Sequence, residues 1–231
     1  MTTSHFRLPR RLVRREDYLL AHCAGQRVLH VGCVDFSTTG DWSQGILAGT
    51  WLHGRLQAVA AELVGVDNAA AAIDWLRAQF GPSDFQLADA QRLALPGTEP
   101  FDVIVAAELI EHLPSPGAFL AAAQPLLRPA GLLLVTTTNA YCLRRLLRVA
   151  TGVESVHEDH VAYYSHRTLA RLAELSGYAV VEQLNYRLPN RHPRLPYLVE
   201  ALACTFSPNL GEGIIAALRL PATPAPPARC C

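Results

Sequence analysis

The chain has 231 residues, of which 50% are hydrophobic, and this is enough to bury the core of one compact domain. Its 20 basic residues, all arginine, balance 20 acidic residues, so no overall charge favours binding to nucleic acid or to an anionic membrane. No apolar run is long enough for a secretory signal or a membrane span, so we expect a cytoplasmic protein, and the arginine- and alanine-rich composition is typical of a bacterial genome.

Apolar, strand-like runs alternate with alanine- and leucine-rich helical patterns from residue 27 onward. The alternation predicts an α/β fold in which helices cover both faces of a doubly wound, mostly parallel seven-stranded sheet. The predicted strands are Arg27–Val31, Leu63–Val66, Phe85–Leu87, Phe101–Ala106, Gly131–Thr136, Ala179–Asn185 and Gly213–Leu218. The predicted helices are Arg14–Ala24, Trp51–Glu62, Ala69–Gln79, Pro116–Leu127, Tyr141–Ala150 and Arg167–Ser176.

The domain organisation follows from where this alternation begins, pauses and ends. We predict an N-terminal helical extension at 1–26 and one domain at 27–220. Two segments interrupt the domain, a polar, glycine-containing insert at 38–50 and a lid-like segment at 190–209 that contains three prolines. The Pro/Ala-rich residues 221–231 are predicted to form a flexible tail.

Six cysteines occur without a CxxC pair: Cys23, Cys33, Cys142, Cys204, Cys230 and Cys231. This spacing predicts free thiols in a reducing compartment, with neither a zinc site nor a disulfide framework. A lipidation signal at the last two cysteines is less favoured than a disordered end, because such signals belong to eukaryotic targeting systems.

Chemistry-bearing residues follow the first four predicted strands: Gly32, Asp67, Asp89 and Glu108. Open α/β sheets bind their ligands at the carboxyl ends of the strands. A glycine allows a ligand to approach the backbone, and the carboxylate after the second strand can accept hydrogen bonds from both ribose hydroxyls. Asp89 can accept one from an adenine amino group. The pattern therefore favours an adenosine-containing ligand.

Six segments follow one another in a characteristic order: VLHVGC, VGVDN, ADAQRL, FDVIVAAELIEHL, LLRPAGLLLVTTTN and HVAYYSHRTLARLAELSGY. In this order, residues 27–186 resemble the class I S-adenosylmethionine-dependent methyltransferases. Within that superfamily the chain most resembles the small-molecule group that includes the ubiquinone-biosynthesis O-methyltransferases. The resemblance implies a Rossmann-like fold and S-adenosyl-L-methionine as cofactor. It also implies cofactor contacts from Gly32, Cys33, Asp67, Asn68, Asp89, Ala90 and Glu108.

The first motif departs from the family pattern. An acidic residue usually stands where His30 is, and further glycines where Val34 and Phe36 are. These larger side chains are expected to push the loop away from a close approach to the cofactor. Asp35, in the same loop, is a candidate replacement for the missing carboxylate and is therefore included among the predicted cofactor-binding residues.

Histidines supply the candidate catalytic bases, because an imidazole is well matched to proton transfer at neutral pH. His160 is favoured, with His112 and His157 as the other candidates. The alternative is that His112 ends a helix and that the HEDH segment is a polar loop. No metal is predicted, because two histidines three residues apart lack a third ligand in the sequence. His30 is expected to pack beneath the first loop, and His53 to lie either at the surface or behind the residues that contact the cofactor.

The predicted activity is methyl transfer to oxygen or nitrogen of a small molecule, a sugar or a natural-product intermediate, with a peptide or glycan intermediate also compatible. No nucleic acid or membrane partner is expected, and the protein is predicted to be a monomer or a homodimer. The alternative function is a catalytically inactive, methyltransferase-like binding or scaffolding protein, which the altered first motif keeps open. A nicotinamide-dependent oxidoreductase is not favoured, because no GxGxxG loop is present.

Overall fold

A single mixed sheet forms the centre of the molecule in the computed structural model, which describes residues 6–34, 49–81, 84–188 and 195–221. The strands are β1 Leu12–Arg14, β2 Arg27–Val31, β3 Glu62–Asp67, β4 Phe85–Leu87, β5 Phe101–Ala107, β6 Leu127–Thr138, β7 Ala179–Arg187 and β8 Gly213–Arg219. The α-helices of the described ranges are α1 Arg15–Cys23, α2 Leu52–Gln57, α3 Ala70–Phe80, α4 Pro116–Ala123, α5 Leu143–Ala150, α6 His166–Leu175 and α7 Leu195–Phe206.

The sheet has the order β1-β7-β8-β6-β5-β2-β3-β4. Only β8 runs antiparallel to its two neighbours, β6 and β7, and every other pair is parallel. The predicted α/β fold with a mostly parallel sheet is therefore confirmed. The predicted number of strands was wrong by one, since the sheet has eight strands.

The additional strand, β1, lies in the segment predicted as an N-terminal helical extension. It pairs in parallel with β7, where Leu12 is opposite Asn185. The Asn185 side chain adds to this pairing by donating to the carbonyl oxygens of Pro9 at 3.2 Å and Arg11 at 3.4 Å. Three residues between arginines carry no apolar periodicity, so the pattern could not indicate a strand.

Strand β5 shows why the sheet is covered on both faces. Its side chains at Ile104 and Ala106 belong to one hydrophobic cluster, and those at Val103 and Val105 belong to another. Successive residues of a strand point to opposite faces, so a continuous apolar run must be packed on each side. No helix among the described residues is both long and apolar enough to cross a membrane.

The parallel register brings the ends of three strands to one edge. Val31 of β2 is paired with Val66 of β3 on one side and with Ala106 of β5 on the other. The residues that follow these positions are therefore neighbours, although they are far apart in sequence. Gly32, Asp67 and Glu108 meet at this edge.

Candidate functional site

Two adjoining cavities open at the carboxyl ends of the central strands. The larger, of about 380 Å³, is lined by Gly32, Val34, Asp67, Asn68, Ala69, Ala107, Glu108, Leu109, His112, His157 and His160. The smaller, of about 160 Å³, is lined by Val31, Gly32, Val66, Asp67, Asn68, Ala88, Asp89, Ala90, Gln91, Leu109, His112, Leu113 and Pro114. The cavities share five residues, Gly32, Asp67, Asn68, Leu109 and His112, so they form two parts of one site.

The loop after β2 keeps one glycine where the backbone requires it. Gly32 has a φ of 79°, and a Cβ at this position would lie 3.3 Å from Cδ1 of Leu109. Val34 is 5% exposed and packs in the cluster that contains Trp51 and Phe85, so its larger side chain is accommodated in the core. Both Asp35 and Phe36 lie outside the described residues.

The Cys33 side chain lies beneath the loop that follows β2. Its side chain is fully buried and packs against Gly65 of β3, where a Cβ would lie 2.9 Å from the cysteine sulfur. Its carbonyl oxygen accepts a hydrogen bond of 2.7 Å from Nε1 of Trp51. The Cys33 side chain is absent from the lining of both cavities, because it faces inward beneath the loop.

Asp67 joins the loop after β2 to the end of β3. One carboxylate oxygen, Oδ2, accepts from the backbone N–H of Val34 at 3.1 Å, and the other, Oδ1, accepts from the N–H of Ala69 at 3.1 Å. Each carboxylate oxygen has a second lone pair. Asp67 can therefore fix the loop and still accept hydrogen bonds from a ligand in either cavity.

The smaller cavity has apolar walls and a carboxylate at one side. Val31, Val66 and Leu113 supply apolar surface, while Asp89 and Ala90 begin a short 3₁₀ helix at Ala90–Arg92. The Asp89 side chain accepts from the backbone N–H of Gln91 at 2.9 Å and caps this helix. The cap fixes the Asp89 carboxylate at the wall of the smaller cavity.

Glu108 is held in a strained conformation in the larger cavity. Its φ of 49° lies in the left-handed region that residues with a side chain rarely adopt. Oε1 of its carboxylate accepts from the hydroxyl of Thr136 at 3.0 Å and from the hydroxyl of Tyr186, and the guanidinium of Arg15 lies 4.0 Å from the same oxygen. Strain of this kind costs on the order of 1–3 kcal/mol and clusters at functional sites.

Glu111 is fully buried beside this group. Burial, followed by the charge of Glu108, raises the pKa of Glu111 to about 8, so it is mostly protonated at neutral pH. Its backbone carbonyl accepts from the N–H of Val161 at 2.8 Å. Glu111 therefore ties the HEDH segment to the end of β5.

The structure brings the three predicted histidines together. The ring centroid of His112 lies 4.5 Å from that of His160 and 5.9 Å from that of His157, and the last two are 5.3 Å apart. Burial, together with the charges of His112, His157 and Arg145, lowers the pKa of His160 to about 4. Burial and His157 also lower the pKa of His112. His112 and His160 are therefore neutral at pH 7, and the low pKa of His160 makes it a weaker base than an exposed imidazole.

His30 and His53 form a buried pair below the first loop. His30 is 1% exposed, as expected for a residue packed beneath the loop, and its Nδ1 lies 3.3 Å from Nδ1 of His53. Of the two predicted locations for His53, the surface was wrong, because its side chain is also 1% exposed and packs against the rings of Trp51 and Phe85. Two imidazoles thus lie buried side by side beneath the loop after β2.

Four of the six cysteines lie within the described residues. Cys23, Cys33, Cys142 and Cys204 are buried thiols, and the last two cysteines of the sequence lie outside the described residues. Within the described ranges, no group of three or more His, Cys, Asp or Glu side chains has the geometry to hold a metal ion.

Residues 5–183 match the profile of a protein family described as a methyltransferase domain. The chain belongs to this family. The methyltransferase is 28% identical over 173 residues to a ubiquinone biosynthesis O-methyltransferase of Burkholderia pseudomallei, a match that covers 70% of this chain and 68% of the relative. It is 29% identical over 168 residues to the protein of the same name from Thiobacillus denitrificans, covering 68% of this chain and 66% of that one.

Solved structures share the fold of the methyltransferase at low sequence identity. A methyltransferase of Bacillus halodurans superposes with a TM-score of 0.58 at 14% identity, covering 90% of this chain and 98% of that chain. A magnesium protoporphyrin IX methyltransferase from Synechocystis, solved with bound S-adenosylhomocysteine, gives 0.54 at 13% identity, covering 88% and 81%. These superpositions show the shared fold, and the family match over residues 5–183 makes the protein a methyltransferase that uses S-adenosyl-L-methionine.

Sequence reasoning missed the groups that orient Glu108 in this methyltransferase. Arg15 comes from the N-terminal helix α1, Thr136 from the end of β6 and Tyr186 from β7. The run of three threonines at the end of an otherwise apolar strand was the available signal, because hydroxyls in a buried strand need partners. Nothing in the sequence pattern distinguished Arg15 from the other arginines near the N-terminus.

Proposed function

We propose that the two cavities together hold S-adenosyl-L-methionine and that the larger one also admits the methyl acceptor. In this arrangement the adenine lies in the smaller cavity beside Asp89 and Ala90, and Asp67, with Asn68 next to it, accepts from the ribose hydroxyls. Gly32 and Glu108 lie at the methionine end. The observation that carries the proposal is the position of Asp67, which lines both cavities while its oxygens keep acceptor capacity.

The residues that line the larger cavity fit the chemistry of S-adenosyl-L-methionine. S-adenosyl-L-methionine supplies a methyl group on a positively charged sulfur whose departure needs no acid. Glu108 brings a negative charge to the larger cavity, and Tyr186 and Thr136 hold its carboxylate in place. The absence of side-chain atoms at Gly32 leaves the backbone open to close approach.

The acceptor is proposed to be a small molecule, such as an aromatic, sugar or natural-product intermediate, that presents an oxygen or nitrogen to the histidine wall. The relatives named above are O-methyltransferases, and this favours oxygen. A hydroxyl acceptor must lose a proton, and His160 lines the larger cavity in its neutral form. His160 is the proposed base, with His112 beside it at a centroid distance of 4.5 Å.

In this proposal, alignment of the acceptor with the methyl group supplies most of the rate enhancement. Positioning of two reactants can supply about 7–11 kcal/mol of the barrier, whereas a general base contributes about 10²–10⁴-fold. A His160→Gln variant should therefore retain cofactor binding and lose on the order of a hundredfold in kcat on a hydroxyl acceptor.

Calorimetric titration with S-adenosylhomocysteine tests the cofactor assignment. The wild type should bind, and Asp67→Ala should bind at least about tenfold more weakly, because two ribose hydrogen bonds are removed. Asp74→Asn is the matched control, since its carboxylate is 76% exposed on α3 and lies outside the lining of both cavities. Unchanged affinity in Asp67→Ala would refute the assignment. Binding without transfer of labelled methyl groups to catechols, sugars or phenols would favour a binding protein instead.

A further inference from the structure

A third cavity, of about 240 Å³, adjoins the proposed acceptor space. Its lining comprises Cys142, Arg144, Arg145, Arg148, Ser155, Val156, His157 and Glu212. His157 also lines the larger cavity of the candidate site, so the two cavities are separated by one side chain. The third cavity is unusual in presenting three arginines from a single helix, α5.

The first of these arginines is neutralised by carboxylates. Arg144 forms an ion pair with Glu200, whose side chain is 2% exposed, and another with Glu212 at 2.6 Å. Its guanidinium also lies 4.2 Å from the ring centroid of Tyr197. Arg144 therefore anchors α5 to α7 and to the segment before β8, and its one positive charge faces two carboxylates.

The second arginine is held by neutral groups. Nη1 of Arg145 donates to the carbonyl oxygens of Asn139 and Glu212, both at 3.3 Å, and its guanidinium lies 5.3 Å from the ring centroid of Tyr163. These contacts fix the position of the side chain and leave its positive charge without a counterion among the described residues. The same charge reaches the acceptor space, where it helps to lower the pKa of His160.

The third arginine lies one turn further along the same face of α5. Residues three apart on a helix are neighbours, so Arg148 follows Arg145 along the cavity wall. It donates to the hydroxyl of Ser155 and, within the described ranges, forms no ion pair with a carboxylate. Arg148 is exposed, and α5 contains no acidic residue, so Arg145 and Arg148 add two positive charges to a cavity whose lining carboxylate, Glu212, is paired with Arg144.

We propose that Arg145 and Arg148 bind an oxyanion, a phosphate or a carboxylate, that belongs to the methyl acceptor. The planar guanidinium matches the geometry of both oxyanions, and charge-assisted hydrogen bonds are about twice as strong as neutral ones. The acceptor reaches past His157, with its anionic end in the arginine cavity and its nucleophilic atom toward His112 and His160. This inference rests on the proposed function, and it narrows the acceptor class to anionic molecules.

Anion binding to the protein loaded with S-adenosylhomocysteine tests the proposal. Sodium phosphate and sodium benzoate are titrated separately at constant ionic strength, and the ring proton resonances of His157 are followed by NMR. At least one anion should shift these resonances saturably, and the anion that does so identifies phosphate or carboxylate as the preferred group. Arg148→Gln should weaken that binding about tenfold or more, because one charge-assisted partner is lost.

Arg171→Gln provides the matched control. Its guanidinium is 51% exposed on α6 and pairs with Glu174 at 3.3 Å, so this variant should bind the anion like the wild type. The proposal is overturned if neither anion produces a saturable shift, or if Arg148→Gln responds as the wild type does. Calorimetry with S-adenosylhomocysteine on the same samples separates the two proposals. Anion binding without cofactor binding would refute the proposed function alone.

Discussion

The buried pair of His30 and His53 should make the protein sensitive to mild acid. Burial lowers the pKa of His30 to about 3, with Arg15 contributing, and burial and His30 lower the pKa of His53 well below its usual value. An unfolded chain binds a proton at each imidazole near pH 6.5, whereas the folded chain does not. Stability is therefore retained above pH 6.5 and is lost progressively as the pH falls toward the folded-state values.

The size of the effect follows from proton linkage. Each of these histidines stays neutral in the folded state and titrates near pH 6.5 when the chain is unfolded. As the pH falls from 7.5 to 5.5, each one therefore lowers the free energy of unfolding by about 1.4 kcal/mol. The pair should contribute about 2.7 kcal/mol over this interval. A His53→Leu variant removes one of the two groups, so its loss on acidification should be about 1.4 kcal/mol smaller than that of the wild type.

Urea-induced unfolding followed by tryptophan fluorescence at the two pH values measures this difference. Phe80→Leu is a suitable control, because Phe80 contacts the same aromatic cluster, with its ring centroid 5.5 Å from that of Trp51, and carries no proton. The control should lose as much stability as the wild type on acidification, whatever its stability at pH 7.5. The reasoning fails if His53→Leu also shows the full wild-type loss.

Three further substitutions have defined expectations. Tyr186→Phe removes a hydroxyl that donates to Glu108. It should weaken S-adenosylhomocysteine binding several-fold by calorimetry, with little effect on kcat. An affinity equal to that of the wild type would contradict this role. Gly32→Ala forces a side chain into a φ of 79° and should lower the free energy of unfolding by about 1–2 kcal/mol in urea, an expectation that unchanged stability would contradict. Arg144→Gln leaves Glu200 buried without its cation and should lower the free energy of unfolding by about 3 kcal/mol in the same urea assay. The double variant Arg144→Gln with Glu200→Gln should recover part of this loss.

The central strands could be predicted from the sequence because their physical requirements are local. The β2 run Arg27–Val31 was predicted with the bounds that the structure has, and the predicted β5 run Phe101–Ala106 ends one residue short of the observed strand. A strand covered on both faces must be continuously apolar, and this requirement is visible in one sequence. The carboxylates that follow these strands could be placed near one another from the same pattern, because the carboxyl ends of parallel strands meet at one edge of the sheet.

Other features depend on contacts between distant segments and could not be predicted in this way. His53 appeared polar in a short helix, yet its burial depends on Gly65 of β3, where a Cβ would lie 2.7 Å from the imidazole. The orientation of Glu108 depends on Arg15 and Tyr186, which belong to opposite ends of the domain sequence. Periodicity carries no information on such pairs, since only the folded sheet brings them together.

The position of β8 has a consequence for synthesis on the ribosome. Residues 213–219 lie between β6 and β7, and β7 has only β8 and β1 as sheet neighbours. Until this segment leaves the exit tunnel, β6 presents an unpaired edge and β7 cannot join the rest of the sheet. Nascent chains that stall before residue 213 would thus expose apolar strand edges, the surfaces through which incomplete chains aggregate and chaperones recognise them.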